Sequence, residues 1–208
     1  MTGTLGALIV EAAEPEAVAR FWQTALGDAP PAPRFRFRRQ ERPKSTKNRV
    51  HLDLYVRELE SLLTLGARVL AEYPDWVTLA DVEGNEFCAF PDPGPTDVGP
   101  PARVFAVCTD SDRPEELAAW WAPLVSAEIG NGPDGTPRWL YGSAGWEPLI
   151  WKFVRVDDER TAPNRWQWTI RADSAELLAA GARNSSRGVL VDPQGNDFSV
   201  EGRKTPAG

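Results

Sequence analysis

The chain has 208 residues, 42% of them hydrophobic, with nine tryptophans, two cysteines and one histidine, enough apolar material for one large or two small cores. A formal charge of -7 argues against nucleic acid or an anionic membrane as partner, because both select basic surfaces. No apolar run reaches the length of a membrane span, no basic-then-apolar leader opens the chain, and the sparse cysteines suit a reduced, cytoplasmic protein.

Leu5 to Glu11 reads as an apolar strand, and Glu14-Pro15 as a helix start, because proline at the first helical position is already set to helical φ. The helix runs to Leu26 with Val18, Phe21, Trp22, Ala25 and Leu26 on one face, and Gly27 stops it. Ala29 to Pro33 is too proline-rich for regular structure. Arg34 to Arg39 alternates arginine with apolar residues, and in Val50 to Val56 the apolar residues alternate with His51, Asp53 and Tyr55. Those three therefore share the polar face of a strand. A short helix at Glu58 to Leu65 follows, then strands at Arg68 to Ala71, Trp76 to Ala80 and Glu86 to Phe90.

Pro91 to Pro101 holds five prolines in eleven residues and reads as a stiff linker. The order then restarts. Strand Val104 to Thr109 leads to helix Arg113 to Leu124, whose Leu117, Trp120, Trp121 and Leu124 make one face. Strands are expected at Arg138 to Tyr141, Leu149 to Val156, Arg165 to Ala172, Val189 to Val191 and Asp197 to Glu201, with a helix at Ala175 to Ala180.

Four landmarks recur in the same order. The aromatic pairs Phe21-Trp22 and Trp120-Trp121 come first, then Asn48-Arg49 and Asn164-Arg165 before alternating strands. Gly66 to Arg68 and Gly181 to Arg183 both read Gly-Ala-Arg, and the turns Gly84 to Phe87 and Gly195 to Phe198 close each copy. This is an internal duplication of a unit about 100 residues long. It divides the chain into residues 1–92, a linker at 93–102, residues 103–202 and a loose tail at 203–208. The fold class is α+β.

The strand, the Pro-initiated helix with Phe21-Trp22 and the segment Asn48 to Leu54, with Gly66 to Arg68 and Asp81 to Cys88, together resemble the glyoxalase-like domains of the vicinal oxygen chelate superfamily. The resemblance covers residues 5 to 90, with a weaker copy at 103 to 201. It implies tandem glyoxalase-like domains, each of paired βαβββ modules whose sheets curl around a cleft, with the first one shortened. The family includes glyoxalase I, extradiol dioxygenases, epimerases and fosfomycin-resistance enzymes. It also includes metal-free proteins that sequester drugs such as bleomycin, so the fold alone does not choose a chemistry.

The resemblance also implies four metal-ligand positions. In the first copy they fall on Ala7, on the Phe35 to Phe37 stretch, on His51 and on Cys88, and alanine cannot coordinate. The set left for a divalent metal is His51, Glu86 and Cys88, and an open catalytic site needs three sound protein ligands. In the second copy Gln167 stands at the place of His51, and Ser199 adds nothing comparable. The expectation is a metal-independent small-molecule binding protein, monomer or homodimer, without cofactor, that holds an aromatic or anionic ligand. Arg36, Arg38, His51, Tyr55, Trp139, Trp151 and Gln167 are the ligand-binding candidates: the arginines if they share a sheet with His51, the tryptophans as stacking surfaces. Trp22, Trp120, Trp121, Trp166 and Trp168 read as core. The alternative is an enzyme of the same fold, a lyase, isomerase or dioxygenase-like catalyst working through His51 and Asp53, with or without a divalent metal.

Overall fold

The computed structural model describes residues 3–27, 33–94 and 99–202. Residues 28–32, 95–98 and the expected loose tail at 203–208 lie outside the described residues. The first unit consists of β1 (Thr4–Ala12), α1 (Pro15–Leu26) and β2 (Phe35–Arg39). The second runs through β3 (Val50–Val56), α2 (Leu59–Thr64), β4 (Arg68–Glu72), β5 (Val77–Ala80) and β6 (Glu86–Pro91). The third comprises β7 (Ala102–Ser111), α3 (Pro114–Leu124), β8 (Glu128–Asn131), β9 (Pro137–Tyr141) and β10 (Ile150–Arg155). The fourth has β11 (Trp166–Arg171), α4 (Ser174–Ala179), β12 (Arg183–Asn184), β13 (Leu190–Val191) and β14 (Asp197–Glu201). The strands β8 and β12 were not anticipated: both are short and mostly exposed, with no apolar alternation to mark them.

Two sheets result, and each draws on both halves of the chain. One has six strands in the order β12-β13-β14-β11-β1-β2, the other eight in the order β4-β5-β6-β3-β7-β10-β9-β8. The seams are antiparallel pairings of opening strands, β1 with β11 and β3 with β7. The first unit therefore shares a sheet with the fourth, and the second with the third. In every unit the last strand lies parallel to the first: β2 on β1, β6 on β3, β10 on β7 and β14 on β11. The second, third and fourth units also carry an outer hairpin, β4/β5, β8/β9 or β12/β13. The first has no counterpart among the described residues, which agrees with the shortened module expected from its sequence.

The apolar faces of α1 and α3 are both used between the sheets. The ring of Trp22 lies 5.7 Å from Phe35 and 5.5 Å from Trp166 on the six-stranded sheet, and 5.2 Å from Phe87 on the eight-stranded one. Trp121 mirrors it, at 5.0 Å from Trp151 of the eight-stranded sheet and 5.5 and 5.1 Å from Trp168 and Phe198 of the six-stranded one. Burying rings of this size stabilises by about 2 to 3 kcal/mol each. Trp22, Trp121, Trp166 and Trp168 are thus core, as their sequence positions suggested, and Trp120 packs against that core from its edge.

The indoles of Trp22 and Trp121 also carry a polar handle that burial removes from water. Trp22 Nε1 donates to Asp81 Oδ2 at 3.1 Å, and Trp121 Nε1 donates to Asp192 Oδ2 at 3.3 Å. Asp81 also accepts from the backbone N–H groups of Glu83 and Asn85 at 2.9 and 3.0 Å, and Asp192 from those of Gln194 and Asn196 at 3.0 and 2.9 Å. The turns close through Gly84 and Gly195, both at φ 84°, where a side chain would be strained. Asn48 and Asn164 then donate to the turn asparagines, Asn85 and Asn196, at 3.2 Å in each copy.

The neighbouring arginines tie the starts of β11 and β3 to other segments. Arg165 donates to the Glu11 carbonyl at 3.0 Å and to the Glu83 carboxylate at 3.2 Å, while Arg49 donates to the carbonyls of Asp158 and Glu159 at 3.0 and 2.7 Å. The duplicated landmarks are one bracing device built twice.

Burial pushes the carboxyls of Asp81 and Asp192 above their ordinary value of 3.8, although the hydrogen bonds they accept pull the other way. The folded chain therefore holds these protons more tightly than the unfolded one. That contribution to stability is fully present below pH 3.8 and is lost as the pH rises through the folded values. Urea unfolding of Asp81→Asn or Asp192→Asn should show a weaker fall in stability over this pH range than the parent chain. Asp81→Ala or Asp192→Ala should each cost about 2 to 4 kcal/mol in the same assay at pH 7, because buried donors lose their acceptor.

Candidate functional site

Leu52 and Leu54 of β3 face the core and are fully buried, which turns His51, Asp53 and Tyr55 to the opposite face of the eight-stranded sheet. The pairing then decides their neighbours. His51 lies opposite Cys108 of β7, Asp53 lies opposite Ala106 and beside Cys88 of β6, and Lys152 of β10 lies beside Cys108. A bulge between Asp53 and Leu54 pairs Asp53 with Ala106 and Leu54 with Val104, leaving Phe105 as the extra residue. Its ring stacks on Tyr55 with centroids 4.0 Å apart.

At the centre of this face is an ion pair. Lys152 Nζ donates to Asp53 Oδ2 at 2.8 Å, with side chains only 11% and 7% exposed. The same ammonium lies 4.5 Å from the ring centroid of Phe105, 4.8 Å from Trp139 and 5.7 Å from Phe90, at distances that give cation–π attraction. Burial alone would depress the lysine pKa, but its neighbours, the Asp53 carboxylate first among them, hold the group above its usual value. The ammonium is therefore charged at neutral pH.

The rings continue as a row that ends on the exposed Tyr73. Phe90 lies 5.3 Å from Phe105, Trp76 lies 5.8 Å from Phe90, and Tyr73 stacks on Trp76 at 4.5 Å. A hollow of about 240 Å³ lined by Tyr73, Trp76 and Phe90 opens at that end. At the other side Arg103 sits 4.4 Å over the Tyr55 ring, held by Asp92 at 2.8 Å.

One group of donor atoms could be asked to hold a metal. Those of His51, Asp53 and Cys108 lie within 4.8 Å of one another. His51 Nε2 stands 3.7 Å from Asp53 Oδ1, too far for a hydrogen bond. Cys108 is 1% exposed, and burial with the Asp53 charge pushes its thiol well above the usual range. An ion here would have to displace the Lys152 ammonium from Asp53 and take the proton of that thiol, so the three donors do not fit a divalent metal as they stand. Glu86 is engaged elsewhere, accepting from Lys44 Nζ at 2.7 Å and from the Asn48 backbone at 3.1 Å. The cluster that forms thus differs from the His51, Glu86 and Cys88 set suggested by sequence.

Other expected ligand-binding residues separate from His51. Arg36 and Arg38 are on β2, which pairs with β1, so they belong to the six-stranded sheet and not to the face of His51. There Arg36 pairs with Glu201 at 2.5 Å, and Arg38 with Glu11 at 2.5 Å. Glu11 is 1% exposed and also accepts from Arg187 at 2.5 Å and Gln167 at 3.4 Å. Gln167 is itself buried in that network. Trp151 does not line a cleft: it is fully buried against Trp121 and Trp168, with Nε1 on Thr109 Oγ1 at 3.0 Å. Its strand alternates, so Lys152 faces outward where Trp151 faces in. Trp139 does border the ion pair.

Lys152, Phe105 and Cys108 were missed because only the pairing of β3 with β7 and of β7 with β10 brings them to His51 and Asp53. A charged residue between Trp151 and Phe153 in an apolar strand was the available signal for Lys152. The four inferred ligand positions of the first copy are likewise split, with Ala7 and the Arg36 strand on one sheet and His51 and Cys88 on the other.

Comparisons with known proteins agree with this architecture. A family model described as a glyoxalase-like domain matches residues 7–90 and again 106–201. Among solved structures, glyoxalase I from Zea mays aligns with a TM-score of 0.61 at 10% identity, covering 96% of this chain and 92% of that one. A putative dioxygenase from Bacillus subtilis aligns with a TM-score of 0.60 at 9% identity, covering 97% of this chain and 86% of that one. At such identities the likeness concerns the fold. No curated protein matches the chain.

Burial, reinforced by the Asp53 charge, pushes the Cys88 thiol up to about 12. Iodoacetamide at pH 8 should therefore alkylate the two cysteines of the folded protein at least about fifty-fold more slowly than those of the urea-unfolded chain, read by intact mass.

Proposed function

We propose, for a chain that belongs to the glyoxalase-like domain family, that it binds a flat aromatic small molecule on the outer face of its eight-stranded sheet without the help of a metal. The observation that carries this reading is the Lys152–Asp53 pair set among Phe90, Phe105 and Trp139. The pair supplies a fixed positive group where a chelated cation would otherwise stand, and its own carboxylate neutralises it. A sheet face whose central charges cancel and whose border is half-buried rings favours stacking of an arene over capture of a free anion. His51, 17% exposed at its side chain, is placed to give such a ligand one polar contact. The free thiols Cys88 and Cys108 suit a reducing compartment, and we place the protein in the cytoplasm.

The rival reading is an enzyme that uses His51 and Asp53, and the proximity of their donor atoms to Cys108 is what favours it. Thermal melts with and without Zn, Ni, Mn or Fe(II) separate the two. The binding reading expects no stoichiometric metal and an unchanged melting temperature. Metal that co-purifies, raises the melting temperature and is lost with His51→Ala would overturn it in favour of a chelating enzyme. For arenes identified by quenching of tryptophan fluorescence, Phe105→Ala should weaken binding about threefold to tenfold, the loss of one aromatic stacking partner.

A further inference from the structure

The six-stranded sheet carries a different kind of hollow. A cavity of about 360 Å³ opens at the β1, β2 and β11 end of that sheet, lined by Arg34, Arg36, Arg171 and Glu201, with Gly6 and Gly145 in its wall. The four charged groups in this wall comprise three guanidinium groups and one carboxylate, a local excess of positive charge on a chain whose formal charge is -7. Arg36 is paired to Glu201 at 2.5 Å. Arg34 and Arg171 have no side-chain hydrogen bond or ion pair among the described residues, although most other arginines of this chain do.

The wall is set by backbone contacts. Trp146 Nε1 donates to the Gly6 carbonyl at 2.7 Å, and Leu5 N donates to the Ala144 carbonyl at 2.7 Å, which brings the Gly145 turn against β1. A Cβ on Gly145 would lie 2.0 Å from the Leu5 carbonyl oxygen, and its φ of 93° is a conformation that favours glycine. The packing that shapes this wall therefore excludes a side chain at that position.

We propose that this hollow is a binding site for a small oxyanion, a phosphate or carboxylate group carried on a compact metabolite, gripped by Arg34 and Arg171. Guanidinium groups present paired N–H donors that match two oxygens of such an anion. Converging from β11 and from the start of β2, they would approach the anion from two sides, and Arg36 would remain on Glu201. The volume exceeds that of one phosphate and leaves room for the body that carries it. The site is on the opposite sheet from the aromatic cleft and does not depend on what binds there.

Inorganic phosphate and acetate, titrated at constant ionic strength into the isotopically labelled full chain, test the site by amide NMR. The expected result is saturable shifts for at least one of them, concentrated at Gly6, Ala7, Phe35 and Gly145. Arg34→Gln and Arg171→Gln should each weaken binding about tenfold, the loss of a charge-assisted hydrogen bond, and the double variant should abolish saturation. Arg171→Lys should retain part of the affinity. Both arginines are exposed, so the variants should melt as the parent does. Saturation with phosphate alone assigns the site to phosphate-bearing ligands, and with acetate alone to carboxylates. Shifts that spread over the surface without saturating, or unchanged affinity in the double variant, would overturn the proposal.

Discussion

Two buried hydrogen bonds hold the architecture in register, from Trp22 to Asp81 and from Trp121 to Asp192. Each runs from a helix to the closing turn of the following unit, and that turn is on the other sheet. An indole can fill the space between two sheets, and an acceptor for its N–H recovers the hydrogen bond that burial takes from water, as happens among the described residues for Trp22 and Trp121 and not for Trp166 and Trp168. The aspartate that accepts it needs several donors to remain in an apolar core, and the turn supplies them through Asn85 and Asn196. Tryptophan, aspartate, glycine and asparagine at those positions thus depend on one another. The rest of the fold is arranged around two copies of that set.

The two outer faces carry different side chains over this shared bracing. The inner faces are committed to Trp22, Trp121, Trp166, Trp168 and their neighbours, so differences accumulate on the outer faces, where no partner sheet imposes a shape. On the eight-stranded sheet the Lys152–Asp53 ion pair is central, and aromatic rings surround it. On the six-stranded sheet Glu11 is enclosed by Arg38, Arg187 and Gln167, an ionic plug at the equivalent depth. A buried carboxylate needs such company, since its desolvation is repaid only by several close donors. What remains open on that side is the arginine-lined hollow at the strand ends.

Most of the fold was legible in the chain, and the functional site was legible in part. The helix starts at Pro15 and Pro114, the alternation around His51 and the repeated Gly-Asn turns are local signals, and local signals survive without knowledge of partners. His51, Asp53 and Tyr55 were found for that reason. Lys152 and Phe105 were not, because their relevance comes from pairing β3 with β7 and β7 with β10, across more than fifty residues of sequence in the first case. Arg36 and Arg38 were candidates on the condition that they share a sheet with His51, and the condition is not met, since their proximity to His51 in the chain says nothing about which strand β2 will join. Trp151 was named as a stacking surface and is core, because one strand's phase cannot be told from its composition when residues on both faces are large.

The sequence by itself determined the duplication, the α+β character, the family resemblance and which residues of each strand travel together on one face. Those properties follow from periods of two and 3.6 residues and from turn chemistry, both of which act within a few positions. Only the tertiary structure decided that the first unit pairs with the fourth and the second with the third. That choice brings His51 of one repeat to Cys108 and Lys152 of the other and takes the arginines of β2 away from them. The reason is physical: strand pairing is chosen by the burial of whole faces against α1 and α3, a sum over distant residues that no short stretch of chain contains.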